Sequence, residues 1–208
     1  MNIAVIGTGK VGSTLGKQWA DIGHRVVFGS RRAETSTWDH LLVNDNLSVA
    51  LPDNAAQQAE VVVLATPWSA TESAIKTLGD LRGKILIDCT NPLGPGLSFQ
   101  GKPGASGGEQ VAGWAKGAKV VKAFNTTGAK NMAMPEIGGQ PLAMFICGDD
   151  AQAKKIAARL AVEIGFAVID NGPLSHAHYL EAMAMVWITQ AFSQGWGPDF
   201  GIAVLHRS

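Results

Sequence analysis

The start of the chain constrains the fold more than any other segment, because a short apolar run leads directly into a glycine-rich turn. Residues Asn2–Ile6 have the composition of a buried strand, and the motif Gly7-Thr8-Gly9-Lys10-Val11-Gly12 follows at once. Residues 10–22 then show helical spacing, Gly23 ends that helix, and Arg25–Gly29 forms a second strand-like run. A strand, a tight glycine turn, a helix and a second strand in this order predict a right-handed βαβ unit.

The same alternation continues along the rest of the chain. A weaker element lies at 47–51. Further strands are predicted at 61–65, 84–88, 119–124, 142–147 and 166–170, and further helices at 71–78, 150–164 and 178–193. The run at 61–65 is apolar at every position, as a strand covered on both faces requires. The predicted fold class is therefore α/β, a doubly wound parallel sheet (Rossmann fold) with a small C-terminal α/β extension that ends in an apolar helix. We place the two parts at 1–138 and 139–208.

The last predicted helix is apolar on nearly all sides. Leu180, Trp187 and Ile188 lie on one face, whereas Val186 and Phe192 lie outside it. Such a helix needs cover over most of its surface. We therefore expect a homodimer that forms through this C-terminal helix; the alternative is that the helix packs wholly within its own chain.

Composition excludes several classes of protein. The chain has 208 residues, with 17 basic and 17 acidic side chains and a pI near 7.0, which argues against nucleic acid and against a membrane surface as partners. Charged residues make up only 16%, below the roughly 25% that is typical, which suits a chain with a covered surface. Two cysteines without a C-x-x-C motif, and the lack of a signal-peptide pattern or a long apolar stretch, predict a cytoplasmic protein.

The glycine motif suits a ligand that carries a pyrophosphate. Gly7 allows the tight turn, Gly9 lets the backbone approach the phosphates, and Gly12 lets the helix pack closely on the strand. The N–H groups at the start of the helix can then donate to phosphate oxygens. The predicted binding residues of this loop are Gly7, Thr8, Gly9, Lys10, Val11 and Gly12.

The end of the second predicted strand decides which nucleotide fits. An NAD site needs a carboxylate there for the ribose 2′-hydroxyl, but this chain has Ser30, Arg31 and Arg32, and its next acidic residue is Glu34. Two guanidinium groups and a hydroxyl favour a 2′-phosphate, which a carboxylate would repel. The sequence therefore predicts NADP(H) as the cofactor.

Three more strand ends are expected at the same edge of the sheet, where ligands of such folds bind. They carry Thr66-Pro67-Trp68, Asn91 and Asn125, past which the nicotinamide and its ribose should run. Trp68 either covers the cofactor or the second substrate, or packs as an ordinary aromatic. Asn91 and Asn125 either hydrogen-bond the ribose or the carboxamide, or serve as turn residues.

Several segments occur in a distinctive order. They are 7–12, 23–27 with Ser30-Arg31, 88–92, 121–126, and 170–174 followed by 179–181. In this order they resemble the NADPH-dependent coenzyme F420 reductase family, which is similar to the cytosolic reductase domain of Steap metalloreductases. The likeness covers nearly the whole chain, and the Lys-Ala-Phe-Asn segment at 122–125 is its most specific part.

The resemblance implies a Rossmann domain with a small C-terminal part, a dimer, and hydride transfer between NADP(H) and a redox acceptor, which is a deazaflavin (coenzyme F420) or a flavin. It implies that Thr8, Ser30 and Arg31 hold the adenosine phosphate. It also implies that the nicotinamide side of the site is lined by Pro67, Asn91, Ala123 and Asn125. One departure is that Thr35 and its neighbours bring no extra lysine to the 2′-phosphate pocket.

Hydride transfer between two rings requires the protein to stack the rings and exclude water, with no strict need for an acid. We therefore assign no catalytic side chain and no metal. For the second ring we expect Trp68, the Pro173-Leu174 turn, and Leu97 and Phe99 of the Gly/Pro-rich loop at 92–108.

Three other groups have ordinary interpretations. Lys130 resembles the lysine of hydroxyacid dehydrogenases, but the chain lacks their long helical C-terminal domain, so a surface lysine is expected. His176 and His178 lack a third metal ligand nearby, and line the substrate cleft if they have a role. Asp149 and Asp150 precede a predicted helix and indicate an N-cap.

Two alternatives to a deazaflavin or flavin reductase stay open. An NADP-dependent dehydrogenase or reductase of a small carbonyl or imine would need a proton donor near the nicotinamide, and the sequence offers no clear one. A non-catalytic NADP(H) sensor would bind the nucleotide without a cleft for an acceptor.

Overall fold

One eight-stranded sheet organises the chain, which a computed structural model describes for residues 1–32, 38–100 and 104–207. In chain order the first half contains β1 (Asn2–Ile6), α1 (Lys10–Asp21), β2 (Arg25–Gly29), β3 (Leu47–Ala50), α2 (Pro52–Gln58), β4 (Val61–Leu64), α3 (Trp68–Lys76) and β5 (Ile85–Asp88). The second half contains α4 (Gly107–Trp114), β6 (Lys119–Lys122), α5 (Ala129–Ala133), β7 (Glu136–Ile137), β8 (Gln140–Pro141), β9 (Ala143–Gly148), α6 (Ala151–Glu163), β10 (Ala167–Asp170) and α7 (Ala177–Ile188).

The strands lie in the order β10-β9-β6-β5-β4-β1-β2-β3, and the predicted Rossmann fold is confirmed. The pairs from β6 to β3 are all parallel. The expectation of a wholly parallel sheet is wrong at one pair, since β9 runs antiparallel to β6, with Val121 opposite Gly148. The chain between these strands holds only α5 and the β7–β8 hairpin and makes no crossover, so β9 starts at the edge where β6 ends and runs back.

Helices cover both faces of the sheet, and the alternation of side chains along β1 shows how. Ile3 and Val5 face one apolar cluster, which includes Trp19 of α1. Ala4 and Ile6 face the other cluster, which α2, α3, α4 and α7 complete. Burial on both faces explains why the central strands are apolar at nearly every position.

Three helices of the structure, α2, α4 and α5, were not predicted from the sequence. Helix α4 begins with Gly107 and Gly108, which are poor helix formers, and a capping box between Ser106 and Glu109 stabilises its start. Helix α3 begins at Trp68, three residues before the predicted position. The final helix is α-helical only to Ile188 and then takes π geometry.

The C-terminal segment covers one side of α7. The Phe200 carbonyl accepts hydrogen bonds from Trp187 Nε1 at 3.0 Å and Asn131 Nδ2 at 2.7 Å. Leu180, Ala184 and Trp187 of α7 are buried within the same chain. The opposite side stays open, with Tyr179 56% and Val186 62% exposed.

The predicted boundary between residues 138 and 139 falls in the turn of the β7–β8 hairpin. The sheet itself continues across this boundary, because β9 pairs with β6. Among the helices in the described ranges, none combines the length and apolar character needed to cross a bilayer.

Candidate functional site

The glycine loop between β1 and α1 has the geometry that its sequence predicts. Gly7 has a φ of +108°, and a Cβ there would lie 2.5 Å from the carbonyl oxygen of Ala65. A Cβ on Gly12 would lie 1.9 Å from the carbonyl oxygen of Gly7. Nothing lies within 4 Å of the Cβ position of Gly9. The fold therefore requires two of the glycines, while the third borders open space.

The first turn of α1 is open to solvent. Its N-cap is Gly9, no side chain of the described residues caps it, and the turn carries no acidic residue. Gly9 and Lys10 are exposed, and Thr8 and Val11 are partly exposed. Unbonded N–H groups and the positive end of the helix dipole make this turn suitable for an anion.

Two arginines follow β2 at the same edge of the sheet. Arg31 and Arg32 are exposed, and within the described ranges neither forms an ion pair. Ser30 is buried, and its Oγ accepts from the backbone N–H of Arg32 at 3.1 Å. The indole N–H of Trp38 donates to the Arg32 carbonyl at 2.6 Å. The sequence predictions that concern Glu34 and Thr35 lie outside the described residues.

The turn after β4 holds Thr66, Pro67 and Trp68. The hydroxyl of Thr66 lies 3.0 Å from that of Thr71, which donates to the Pro67 carbonyl at 3.0 Å. The ring of Trp68 contacts the ring of Trp114, with centroids 5.3 Å apart. Thr66 and Pro67 border the open edge, whereas Trp68 contributes to the packing of α3 on α4.

Asn91 and Asn125 meet across the ends of β5 and β6. Asn91 Nδ2 donates to the Asn125 carbonyl at 2.9 Å, and Asn125 Nδ2 donates to Asn91 Oδ1 at 3.0 Å. Asn125 is only 3% exposed, and its Oδ1 has no hydrogen-bond partner in the described part of the chain. A buried acceptor without a donor is costly, so this oxygen is suited to a ligand N–H or O–H.

The backbone beside Asn125 is strained. Phe124 has a φ of +59°, in the left-handed region that non-glycine residues rarely adopt. Its N–H donates to Met144 Sδ at 3.0 Å, and its ring packs edge-on against Trp19. Ala123 is fully buried and its N–H donates to the Asp88 carbonyl, so its side chain is part of the core. Strain of this kind persists where surrounding packing holds a functional segment in place.

A buried charge cluster, formed by Asp88, Lys122 and Glu181, lies behind this pair. Lys122 Nζ is 2.9 Å from Asp88 Oδ2 and 3.1 Å from Glu181 Oε1, and it donates to the Thr90 carbonyl at 2.6 Å. Asp88 and Lys122 are fully buried, and Glu181 is 3% exposed. Burial alone would lower the pKa of Lys122, but the two carboxylates outweigh it and raise the pKa, so the lysine stays charged.

Sequence reasoning missed this cluster. Its signal is one isolated charge in each of three apolar segments, at Asp88 in β5, Lys122 in β6 and Glu181 in α7. Isolated charges in apolar runs indicate buried partners. Which charges pair, however, depends on strand order and on the position of α7.

The loop at 92–108 has more structure than expected. Residues 92–100 fold back on themselves, with a bridge between Leu93 and Phe99 and a bond from the Gly94 N–H to the Ser98 carbonyl at 2.8 Å. Phe99, which bridges Leu93, is 58% exposed, and Leu97 in the turn of this hairpin is partly exposed. Both side chains are therefore available beside the carboxyl end of β5.

The prediction that the Pro173-Leu174 turn lines the second ring is wrong. The N–H of Leu174 donates to Asp149, which directly follows β9, and the Leu174 side chain is buried. Because β9 runs antiparallel to β6, this end of β9 lies at the opposite edge of the sheet from Asn91 and Asn125.

The remaining sequence predictions concern groups outside this edge. Lys130 is exposed and pairs with Asp199, as expected of a surface lysine. His176 and His178 each bond a backbone carbonyl through Nδ1, at 2.6 Å. In the described ranges no three metal-ligating side chains cluster. Asp150 is the predicted N-cap and accepts from the Ala153 N–H at 2.8 Å.

The two cysteines are free and buried. Burial raises the pKa of the Cys89 thiol and of the Cys147 thiol. Both therefore stay protonated and have the character of core residues rather than of nucleophiles.

Comparisons with known proteins agree with this geometry. Residues 2–92 match the family model described as NADP oxidoreductase, coenzyme F420-dependent. The chain is 32% identical to the F420-dependent NADP reductase of Methanothermobacter thermautotrophicus, over 90% of this chain and 88% of the relative. A solved structure of a candidate F420-dependent NADP reductase from Arthrobacter sp. FB24 is 34% identical, with a TM-score of 0.89 over 99% of this chain and 100% of that chain.

A further relative is much longer. Rat metalloreductase STEAP3 is 28% identical over 88% of this chain, which spans only 36% of that protein's length. The likeness to STEAP3 therefore concerns only that part. The F420-dependent NADP reductases, by contrast, are matched over almost their full length. The chain therefore belongs to the family of coenzyme F420-dependent NADP oxidoreductases, which makes it an NADP-dependent oxidoreductase.

Proposed function

We propose that this oxidoreductase transfers hydride between NADP(H) and a deazaflavin, coenzyme F420, or a flavin. The observation that carries the proposal is the placement of three unsatisfied groups along one edge of the sheet. They are the open N-terminus of α1, the exposed Arg31 and Arg32, which form no ion pair with the described residues, and the buried Asn125 Oδ1, which has no hydrogen-bond partner among them. An elongated dinucleotide with a phosphate-rich end and a polar ring end complements all three.

The adenosine half of the cofactor lies, in this proposal, against the first two strand ends. Gly9 leaves room for the pyrophosphate, and the N–H groups of Lys10 and Val11 donate to it. Arg31 and Arg32 bind the 2′-phosphate, and the Ser30 hydroxyl, which already accepts from Arg32, donates its own hydrogen. Two exposed guanidinium groups at this position would favour NADPH over NADH.

The nicotinamide half lies between the turn at Thr66-Pro67 and the Asn91–Asn125 pair. Asn125 Oδ1 accepts from the carboxamide N–H or from a ribose hydroxyl, which removes the cost of leaving that oxygen unpaired. When bound, the cofactor supplies the hydride itself. The residues of the chain orient the ring and exclude water, and we assign no catalytic side chain.

The acceptor ring stacks beside the hairpin at 92–100, against the exposed Phe99 and the partly exposed Leu97. A planar, largely apolar ring system such as a deazaflavin or a flavin suits such a surface.

We further propose a homodimer through the outer face of α7. Tyr179 and Val186 are more than half exposed there. Phe192 and Trp196, at 68% and 65% exposure, add apolar surface beside Trp187 and Phe200. A cytoplasmic location belongs to the same proposal, since two free cysteines suit a reducing compartment. Static light scattering tests the dimer directly, and a monomer would contradict it.

A stopped-flow assay tests the main proposal. NADPH oxidation is followed with coenzyme F420, FMN, FAD, ferric chelates, a small ketone and a cyclic imine in turn, and the assay is repeated with NADH. We expect turnover with at least one ring acceptor and a preference for NADPH. Tight NADPH binding with no acceptor would favour a sensor, and turnover only with a carbonyl or imine would favour the other alternative.

A further inference from the structure

The buried charge cluster holds the segment that leads into Asn91. Asp88 Oδ1 accepts from the N–H of Thr90 at 2.9 Å and from its hydroxyl at 2.7 Å. Lys122 Nζ donates to the carbonyl of the same residue at 2.6 Å. Thr90 is thus fixed through three atoms, and Asn91 follows it directly. The position of the Asn91 side chain is therefore determined by the cluster.

The cluster also fixes the other member of the pair. Lys122 ends β6, and only Ala123 and the strained Phe124 separate it from Asn125. The Ala123 N–H donates to the Asp88 carbonyl at 3.1 Å, which joins the two strand ends just before the pair. Asn91 and Asn125 are consequently held by one set of buried charges.

Glu181 connects this arrangement to two helices. Its carboxylate lies 3.1 Å from Lys122 Nζ and accepts from the N–H groups of Gly107 and Gly108, both at 3.0 Å. Among the described residues, the donors to the Glu181 carboxylate are the two backbone N–H groups and the Lys122 ammonium group. Glu181 therefore keeps Lys122 in place while it fixes α7 to the start of α4.

We propose that Glu181 is a positioning residue for the nicotinamide half of the cofactor, acting through Lys122 and Thr90 on the Asn91–Asn125 pair. The inference rests on the proposed function, because it assumes that the pair binds the nicotinamide half. Its consequence is specific: loss of Glu181 should disturb the nicotinamide half and leave the adenosine half, which uses α1 and β2, intact.

Comparing the affinities of Glu181→Gln for two ligands distinguishes a positioning role of Glu181 from a merely structural one. Isothermal titration calorimetry is run with NADPH, which uses both halves, and with 2′,5′-ADP, which uses only the adenosine half. We expect the Kd of NADPH to rise about tenfold and that of 2′,5′-ADP to change less than about twofold. Equal changes for both ligands, or no change for either, would overturn the inference.

Glu109→Gln is the matched control, because Glu109 caps the same helix without contacting Lys122. It should leave the ratio of the two Kd values unchanged. If Glu181→Gln does not fold, the same two titrations are run with Thr90→Val, which removes only the hydrogen bond from the Thr90 hydroxyl to Asp88. The ratio should shift in the same direction by a smaller factor, and an unchanged ratio would overturn the inference. Wild-type protein that fails to bind 2′,5′-ADP would instead contradict the proposed function.

Discussion

Helices α1 and α4 both start at the carboxyl edge of the sheet, yet their first turns are opposites. Helix α1 begins at Gly9 with no side-chain cap and no acidic residue, so its N–H groups stay open. Helix α4 begins at Ser106 with a capping box to Glu109, and its next two N–H groups donate to Glu181. We call the start of α1 the open helix start, because it is available to an external anion. We call the start of α4 the closed helix start, because the Glu181 carboxylate already occupies it.

This difference shows how one fold can neutralise one helix start internally and leave another accessible to an anion. Any helix start at this edge has the dipole and the N–H groups that attract an anion. Glu181 and Glu109 neutralise the start of α4, whereas the start of α1 stays uncapped by the described residues and is, in the proposed function, where the pyrophosphate binds. The same Glu181 lies 3.1 Å from the buried Lys122 Nζ, and through this contact it would, as we propose, help to order the nicotinamide half.

Lys122→Met gives the largest expected effect, because it removes the cation on which the closed helix start depends. Two buried carboxylates would lose their common partner, and breaking a buried pair in this way costs about 3–5 kcal/mol. Urea unfolding at neutral pH measures the loss. Lys130→Met is the control, since Lys130 pairs with Asp199 at the surface and such pairs contribute about 0–1 kcal/mol. A loss for Lys122→Met no larger than for Lys130→Met would mean that the cluster does not depend on its lysine.

The open helix start could be predicted from the sequence, and the closed one could not. The glycine loop lies within six consecutive residues, and its meaning depends on a strand before it and a helix after it. Arg31 and Arg32 follow shortly after β2, the next strand along the chain. The closed start instead joins Gly107 to Glu181, which lies 74 residues away in sequence. Contacts over such distances depend on the complete topology.

Topology also explains the wrong prediction at the Pro173-Leu174 turn. A uniform parallel sheet would have placed that turn near the carboxyl edge, but the reversal of β9 moves it to the other edge. Nothing in the local sequence of β9 specifies its direction. Helix α4 was missed for a related reason, because Gly107 and Gly108 disfavour a helix that tertiary hydrogen bonds nevertheless stabilise.

Gly12→Ala and Gly9→Ala test the open helix start as a pair. The Gly12 methyl group would lie 1.9 Å from the Gly7 carbonyl oxygen, so we expect a loss of stability of about 1–3 kcal/mol. The Gly9 methyl group meets nothing within 4 Å, so stability should change by less than about 0.5 kcal/mol. Gly9→Ala should nevertheless weaken NADPH binding about tenfold by crowding the pyrophosphate. Thermal unfolding measures the stability of each variant, and titration with NADPH measures its affinity. An unchanged NADPH affinity in Gly9→Ala would mean that the phosphates bind elsewhere.

Arg31→Ala tests the 2′-phosphate beside the open helix start. A charge-assisted hydrogen bond at an exposed site is worth about 1.5 kcal/mol, so the Kd of NADPH should rise about tenfold. The Kd of NADH should stay the same, because NADH lacks the phosphate. Fluorescence titration gives both constants. Arg82→Ala, which removes an exposed arginine already paired with Asp80, should alter neither. Equal weakening of NADPH and NADH in Arg31→Ala would argue against a 2′-phosphate contact.

Glu109→Gln gives the smallest expected effect and tests the closed helix start through pH. Hydrogen bonds from the Ser106 N–H and hydroxyl hold the pKa of Glu109 below its ordinary value of 4.5. A lowered pKa stabilises the fold above the unfolded value, and this contribution is lost as pH falls through the folded pKa. At pH 7 the variant should therefore be less stable by under about 1 kcal/mol, and near pH 3 the difference should shrink. Urea unfolding at both pH values measures the difference; one that stays constant with pH would show that the charge of Glu109 contributes nothing to closing this helix start.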